Sequence, residues 1–447
     1  MKNKTLYMQL LSLALPIALQ NMISFSVSLT DNIMVGSLGE ISISGVYICS
    51  QIQVILQMLV TGIGTAQQVI AAQYWGRGDK DRVKGIINIA VKIAIICAIG
   101  FWAAVFFFPD KILGLYSNDT QVIAEAVKYS RIFCFSYLFF ALSNVLLAAL
   151  RCIKTVRIGL YISILSFAIN VLLNWLLIFG HLGAPAMGIR GSATATLVTR
   201  IVEFLVVLIY VLFVDKKLML RVRDLLGTNL ALLKDFIRYG LPVMLGDILW
   251  GMNLTVQGAI VGRLGPSSTA AVSIANTMFS VISVGVYGTA SASAIIVGNA
   301  AGEGNLAQIK NIAVKFQKVF LLIGVCTGAL LFVIKDFLLS FYSVSNETLS
   351  IANALMTVLS VTVIGTAYQM STLTGIVRAG GAVHFVLIND LIFVWGIVIP
   401  LSYVMAFLVG APTWIVFLCL KCDQVLKCIV AVIKVNRYDW IKKLTID

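Results

Sequence analysis

A carboxylate inside a hydrocarbon-spanning segment is costly, so each one is a candidate for function. Asp31 stands late in the first apolar run, in Ser28-Leu29-Thr30-Asp31-Asn32; Asp247 lies in the seventh run, and Asp390, directly after Asn389, in the eleventh. Two amides in the same half as Asp31, Asn170 and Asn174, are one helical turn apart and share a face. The hydroxyl of Thr194 or Thr196 completes a set of four oxygen donors. Such a set can cage a hard cation such as sodium, whereas a proton needs only a desolvated carboxylate. The competing reading is that Asp31 only hydrogen-bonds to neighbouring helices. Arg200 and Glu203, three residues apart, are adjacent on one helix face and are expected to neutralise one another as a structural pair.

Other chemistry is sparse. Tyr368 and Gln369, with Met252, Phe279 and Met370, can line an apolar cavity, although packing alone also accounts for such residues. Gly62-x-Gly64 lies in an apolar run rather than after a strand, and the sequence has no Walker GKS/T. ATP is therefore not expected to power the protein, and no cofactor is implied. The eight cysteines fall mostly in apolar segments, where a thiol acts as a small hydrophobe. Cys419 and Cys422 have CxxC spacing without a second pair or a histidine cluster, so packing is the expected role. Asn346-Glu347-Thr348 fits a glycosylation sequon and carries little weight. A membrane enzyme would need a nucleophile with its base, or a metal cluster, within the spans, and neither is evident.

The elements that position these residues follow from composition. Of 447 residues, 60% are hydrophobic and 12% charged, against about a quarter charged in a soluble domain. Apolar runs long enough to cross a bilayer recur along the chain. Twelve helices are expected, at 8–35, 41–73, 85–108, 121–150, 158–181, 188–214, 236–262, 267–300, 312–334, 347–376, 382–409 and 412–433. The first is expected to be a retained helix rather than a signal peptide, because no small-residue cleavage site follows it.

The net charge of +14 does not point to nucleic acid, because the basic residues cluster in short links between spans. Lys2 and Lys4, the 77–84 group, Arg151, Lys154 and Arg157, the 216–238 group, Lys310 to Lys318, Arg378, and Lys434 to Lys443 fall on one side. By the positive-inside rule both termini are expected to be cytoplasmic, and helices rather than alternating barrel strands imply an inner membrane.

A shift of 226 residues superposes the chain on itself without a gap: Pro16 on Pro242, Val35-Gly36 on Val261-Gly262, Leu38-Gly39 on Leu264-Gly265, Gly76 on Gly302, Gly78 on Gly304, Lys84 on Lys310, Asp110 on Asp336, and Tyr116-Ser117 on Tyr342-Ser343. Two six-helix lobes, 1–214 and 236–447, are expected on either side of a linker at 215–235. An even helix count per half makes the repeats parallel. Pro16 and Pro242 each remove a backbone hydrogen bond from the first helix of a half and are candidate hinges. Asp247 occupies the position of Asn21, and Gln257 that of Asp31, so the polar centre has diverged between the halves. Asp247, Asp390, Gln257, Tyr368 and Gln369 are the second-half candidates for substrate binding or a second protonation site.

Leu15-Pro16 through Asp31-x-x-Met34-Val35-Gly36-x-Leu38-Gly39, Gln73-x-x-Gly76-x-Gly78-Asp79, Asn170-x-x-x-Asn174-x-x-x-Ile178-x-Gly180, the Gly191–Glu203 segment with Ala195-Thr196, and Gly240-Leu241-Pro242 follow one another in order. Together they resemble the multidrug and toxic compound extrusion (MATE) family over essentially the whole chain. The resemblance implies an all-α, V-shaped two-lobe membrane fold that exports cationic or amphipathic organic compounds in exchange for sodium ions or protons, with no required protein partner. It matches Asp31 to the family's first-helix aspartate implicated in ion coupling, Asn170 to a fifth-helix asparagine, and Thr196 to a threonine near the same cavity. Asn174 stands where several prokaryotic members carry a second acid. Trp250 falls near the seventh-helix glutamate of one bacterial branch. The alternatives are a flippase for a lipid-linked saccharide, which typically needs a large basic cavity, and an exporter of a specialised metabolite.

Overall fold

The structure, a computed structural model, describes residues 3–442 and 444, apart from 118, 226, 228 and 343. The expectations placed on Lys2, Lys443 and Ser343 lie outside the described residues. With no water in hydrocarbon to pair with the backbone, each spanning segment must satisfy its own N–H and C=O groups. Helices do so, and among the described residues the chain is helical with no strand.

The helices are α1 (Asn3–Gly36), α2 (Glu40–Gly76), α3 (Lys80–Phe107), α4 (Thr120–Phe133), α5 (Ser136–Cys152), α6 (Arg157–Phe179) and α7 (Ile189–Val214) in the first repeat. The second holds α8 (Leu241–Gly262), α9 (Pro266–Ile282), α10 (Val284–Glu303), α11 (Leu306–Leu339), α12 (Asn346–Arg378), α13 (Val383–Leu408), α14 (Thr413–Leu420) and α15 (Asp423–Arg437).

Each of the twelve expected ranges falls on a helix or a broken pair. Among the described residues, nine helices are long and apolar enough to cross a bilayer, and ten such spans result if α4 and α5, bent by 53°, are one. The expected ranges at 236–262 and 412–433 fall short. The first carries Asp247, Asn253 and Gln257; the second is interrupted at Lys421 and Cys422 and carries Asp423, Gln424 and Lys427. The expected single helix at 267–300 is likewise divided, at Ser283, with Gly285 two residues on, an irregularity rich in Ser and Gly of the kind that breaks helices.

Prolines are treated differently in the two repeats. Pro16 sits inside an unbroken α1. Pro242 follows a π-turn at Phe236–Gly240, and Pro400 follows another at Leu391–Val398. The extra residue per turn gives room for a ring that would otherwise strike the preceding carbonyl.

The chain forms two compact units. One takes Leu19–Ala71 and Gly78–Met244. Its core is built from α2, α3 and α5 through Leu56, Ile63, Ile86, Ala94 and Leu146. Gly191 lets α7 approach the α6 carbonyl of Leu177, closing the pair that carries the candidate amides and Thr196. The link at 215–235 is strapped to this unit. Leu218 and Leu220 are buried, Asn88 donates its amide to the Asp224 and Gly227 carbonyls, Lys84 pairs with Asp224 at 3.0 Å, and Lys217 donates to the Ile153 carbonyl at 3.2 Å.

The other unit takes α1 up to Ala18, Ala72–Arg77 and the chain from Leu245 onward. Gly324 and Gly328, in a small-xxx-small spacing on α11, sit on the Ile364 and Ser360 backbone of α12. Leu331, Leu355, Met356, Leu359 and Phe417 fill the core beside them. The end of α2 belongs here because of a reciprocal contact: a methyl group on Gly76 would collide with the Asn299 carbonyl, and one on Gly302 with the Gln73 carbonyl. Gln73 and Asn299 are themselves related by the 226-residue shift, so the two repeats cross at equivalent residues. Residues 438–442 and Leu444 pack on this crossing. Trp440 is fully buried against Gly380, the Lys442 N–H donates to the Gly380 carbonyl at 2.8 Å, and the Leu444 N–H donates to Gln73 Oε1 at 3.0 Å.

Two outcomes follow. Gly302→Val forces the α10 backbone off Gln73, with an overpacking cost of about 1–3 kcal/mol. Its apparent melting temperature in detergent should fall below that of Gly100→Val, a site open to a new side chain. In the strap, burial raises the Asp224 carboxyl pKa, but the Arg221 N–H, Lys84 and Arg223 outweigh it and hold the group below its ordinary value. A depressed carboxylate stabilises the docked strap fully above about pH 4, the unfolded value, and loses that contribution as pH falls through the folded one. Hydrogen exchange across 215–235 should therefore accelerate at acid pH in the wild type, and Asp224→Asn should flatten that dependence.

Candidate functional site

The loop after α6 begins at Gly180, whose left-handed backbone caps the helix and turns the chain back toward α7. This hairpin faces the second half of α1. Asn174, fully buried, donates Nδ2 to Asp31 Oδ1 at 2.5 Å and to Asn170 Oδ1 at 3.1 Å. Asn170 is buried as well. One atom is left over: the Asn174 Oδ1 is buried with no hydrogen-bond partner. An unpaired acceptor in such surroundings costs about 1–3 kcal/mol.

The two threonines have different surroundings. The Thr194 hydroxyl donates to the Arg190 carbonyl at 2.8 Å, a local helix bond. Thr196 stands beside Tyr129 of α4, which lies within electrostatic reach of Asp31. Asp31, Asn170, Asn174 and Thr196 therefore belong to one neighbourhood. Tyr129 joins it unanticipated; only its position in the fourth expected span would have drawn notice, and a tyrosine there reads as packing. The Arg200–Glu203 pair forms, at 2.7 Å, with the guanidinium 5.0 Å from the Phe140 ring centroid.

The second-half candidates are each engaged. Asp247 Oδ1 accepts from Arg378 Nη1 at 2.9 Å. Asp390 pairs with Lys427 at 2.7 Å, and Lys427 reaches Asp423 at 3.3 Å. Gln424 donates to both Asp423 oxygens and accepts from Gln369 at 2.8 Å. Tyr368 donates to Gln317 at 2.7 Å, and Gln257 to Asn253 at 3.1 Å. The sequence leaves Asp247 and Asp390 without cationic partners; the fold supplies both. Lys427 lies within the expected span 412–433, so the rule that singles out charges in hydrocarbon covers it too. Its pairing with Asp390 crosses between helices and is not local. Among the described residues no group of three or more His, Cys, Asp or Glu side chains could hold a metal.

The MatE family model matches residues 16–176 and 242–404. The chain belongs to the MatE family. The matched stretches begin 226 residues apart, at the prolines that open the internal repeat. MatE proteins are transporters, so this MatE chain is a multi-pass membrane transporter and not an enzyme. It is similar to the probable multidrug resistance protein YoeA of Bacillus subtilis (strain 168), 26% identical over 400 residues that cover 88% of this chain and 85% of that protein. It is also similar to the probable multidrug resistance protein NorM of Agrobacterium fabrum, 25% identical over 410 residues, 90% and 87% of the two chains. Among solved structures, a crystal structure of MATE in complex with MaL6 superposes with a TM-score of 0.87 at 19% identity, over 96% of this chain and 95% of the other. That likeness establishes the MATE fold.

The Asn174 bond to Asp31 is a charge-assisted one. A double-mutant cycle of Asn174→Ala with Asp31→Ala, read from unfolding in detergent, should give a coupling of about 1.5–3 kcal/mol. Additive effects would show that the two side chains do not interact.

Proposed function

We propose that this MatE transporter is an antiporter that exports cationic or amphipathic organic compounds, including drugs, in exchange for a cation taken up at Asp31. The observation that carries this reading is the unpaired Asn174 Oδ1 beside a carboxylate. A bound cation would give that oxygen the positive partner it lacks. The neutral oxygens of Asn170, Asn174 and Thr196 are surplus to a proton's needs but suited to a hard cation, which favours sodium. The multidrug resistance names of the relatives support drug-like substrates. The clusters of Lys and Arg on one side of the spans support cytoplasmic termini and an inner-membrane setting.

Exchange requires that ion and substrate favour different states of the protein, since a ligand shifts an equilibrium only through its differential affinity. Pro16 lies two residues before the point, between Ala18 and Leu19, where α1 passes from one compact unit to the other. Just beyond it, Gln20 accepts a hydrogen bond from Arg151 at 3.3 Å, which fastens the second part of α1 to α5. We assign Pro16 as the hinge through which occupation of the Asp31 site is felt. Pro242, eased by its π-turn, serves the corresponding role more weakly. Asp247 and Asp390, already paired, serve substrate by exchanging those partners for an organic cation.

The test is gradient-driven movement of a fluorescent cationic dye in proteoliposomes, under a sodium gradient, a proton gradient or neither. Wild type should respond to the sodium gradient, and Asp31→Asn should lose at least tenfold of that rate while remaining folded. Full gradient-driven efflux in Asp31→Asn would overturn the assignment, and a response to protons alone would replace sodium as the coupling ion.

A further inference from the structure

The Lys427 side chain is 5% exposed, in a part of the chain expected to span the membrane. An ammonium so placed needs a carboxylate at all times, because losing its partner leaves an uncompensated charge out of water. Two carboxylates are within its reach. Asp390 of α13 accepts from it at 2.7 Å, and Asp423 of α15 stands at 3.3 Å. All three belong to the same compact unit.

The two acceptors differ in what surrounds them. Asp423 is 7% exposed at its side chain and Asp390 is 36% exposed. Asp423 opens α15 four residues before Lys427, an order in which the acid–lysine pair and the helix dipole reinforce one another. Gln424 donates to both Asp423 oxygens at 2.9 Å and accepts from Gln369 of α12 at 2.8 Å, which fixes the carboxylate in place. The neighbouring Lys421 lies over the Phe417 ring, 5.5 Å from its centroid. Asp390 is followed by the π-turn at Leu391–Val398, a departure from α-helix that recurs at functional sites. Asp390 is thus the carboxylate that an incoming cation can reach, and Asp423 is the one that stays with Lys427.

We propose that Asp423 is a positioning residue for substrate, holding Lys427 whenever Asp390 exchanges the ammonium for an organic cation. The inference rests on the reading of Asp390 as a substrate group, and it gives the displaced lysine a place to go. Without substrate, Lys427 occupies Asp390 as the protein's own cation, and a ligand must displace it to bind. A positively charged ligand can do so; a neutral or anionic one leaves Asp390 with its lysine. Displacement moves the ammonium fully onto Asp423 and never parts it from a carboxylate.

The experiment follows equilibrium binding of ethidium, an organic monocation, to the full-length protein in nanodiscs by fluorescence anisotropy. Asp423→Asn is expected to weaken binding at least fivefold, because Lys427 is then committed to Asp390. Asp423→Asn/Lys427→Met, in which Asp390 has no internal competitor, is expected to bind ethidium at least as tightly as wild type. Damage accumulated over two substitutions would give the opposite order. Equal affinities in Asp423→Asn and wild type, or a double variant that binds no better than the single one, would overturn the proposal. Asp390→Asn, which keeps the Lys427–Asp423 pair, is expected to lose at least tenfold in affinity. Wild-type affinity in Asp390→Asn, or a wild type that does not bind ethidium, would instead remove the substrate reading of Asp390, and this proposal with it.

Discussion

The backbone of a chain in hydrocarbon has nowhere to place an unmade hydrogen bond. That constraint makes every element among the described residues a helix, and it governs how the helices depart from ideality. The departures take forms that keep most backbone bonds: π-turns before Pro242 and Pro400, and breaks at Ser283 and at Lys421 and Cys422. The helices with the most polar content, α8 and the broken α14 and α15, are those that least resemble simple membrane spans.

Charge is handled by the same economy. Asp247 and Asp390 are each matched with a cation from another helix, and Lys427 is shared between two carboxylates. Asp31 differs: its direct hydrogen-bond donor is a neutral amide, and that amide leaves its own oxygen unused. Partners elsewhere make charge tolerable, whereas the set around Asp31 is incomplete, and that incompleteness is what the proposed cation exchange rests on.

Much of this could be read from the amino acids because it depends on local order. Length, hydropathy and the 226-residue shift place the helices and the repeat, and the one-turn spacing of Asn170 and Asn174 brings both amides onto the Asp31 side. What escapes is set by packing between distant segments. The Arg378 and Lys427 pairings, the helix breaks and the strap over α3 all follow from which helix faces meet. Gly76 and Gly302 were visible as a matched pair, but not that each rests on the residue three before the other.

The packing of Trp440, Lys442 and Leu444 on Gln73 and Gly380 has a consequence for biogenesis. Those residues follow α1 to α15 in the chain, so the crossing of α2 and α10 gains this partner only after α15 has left the ribosome. Until then the Trp440 site beside Gly380 is unfilled and the Gln73 side chain lacks its bond to the Leu444 N–H. A ribosome stalled before Trp440 would thus leave a membrane-inserted chain distinguishable from a finished one at this crossing. Quality-control machinery that recognises unsatisfied polar groups would have a local mark of incomplete synthesis.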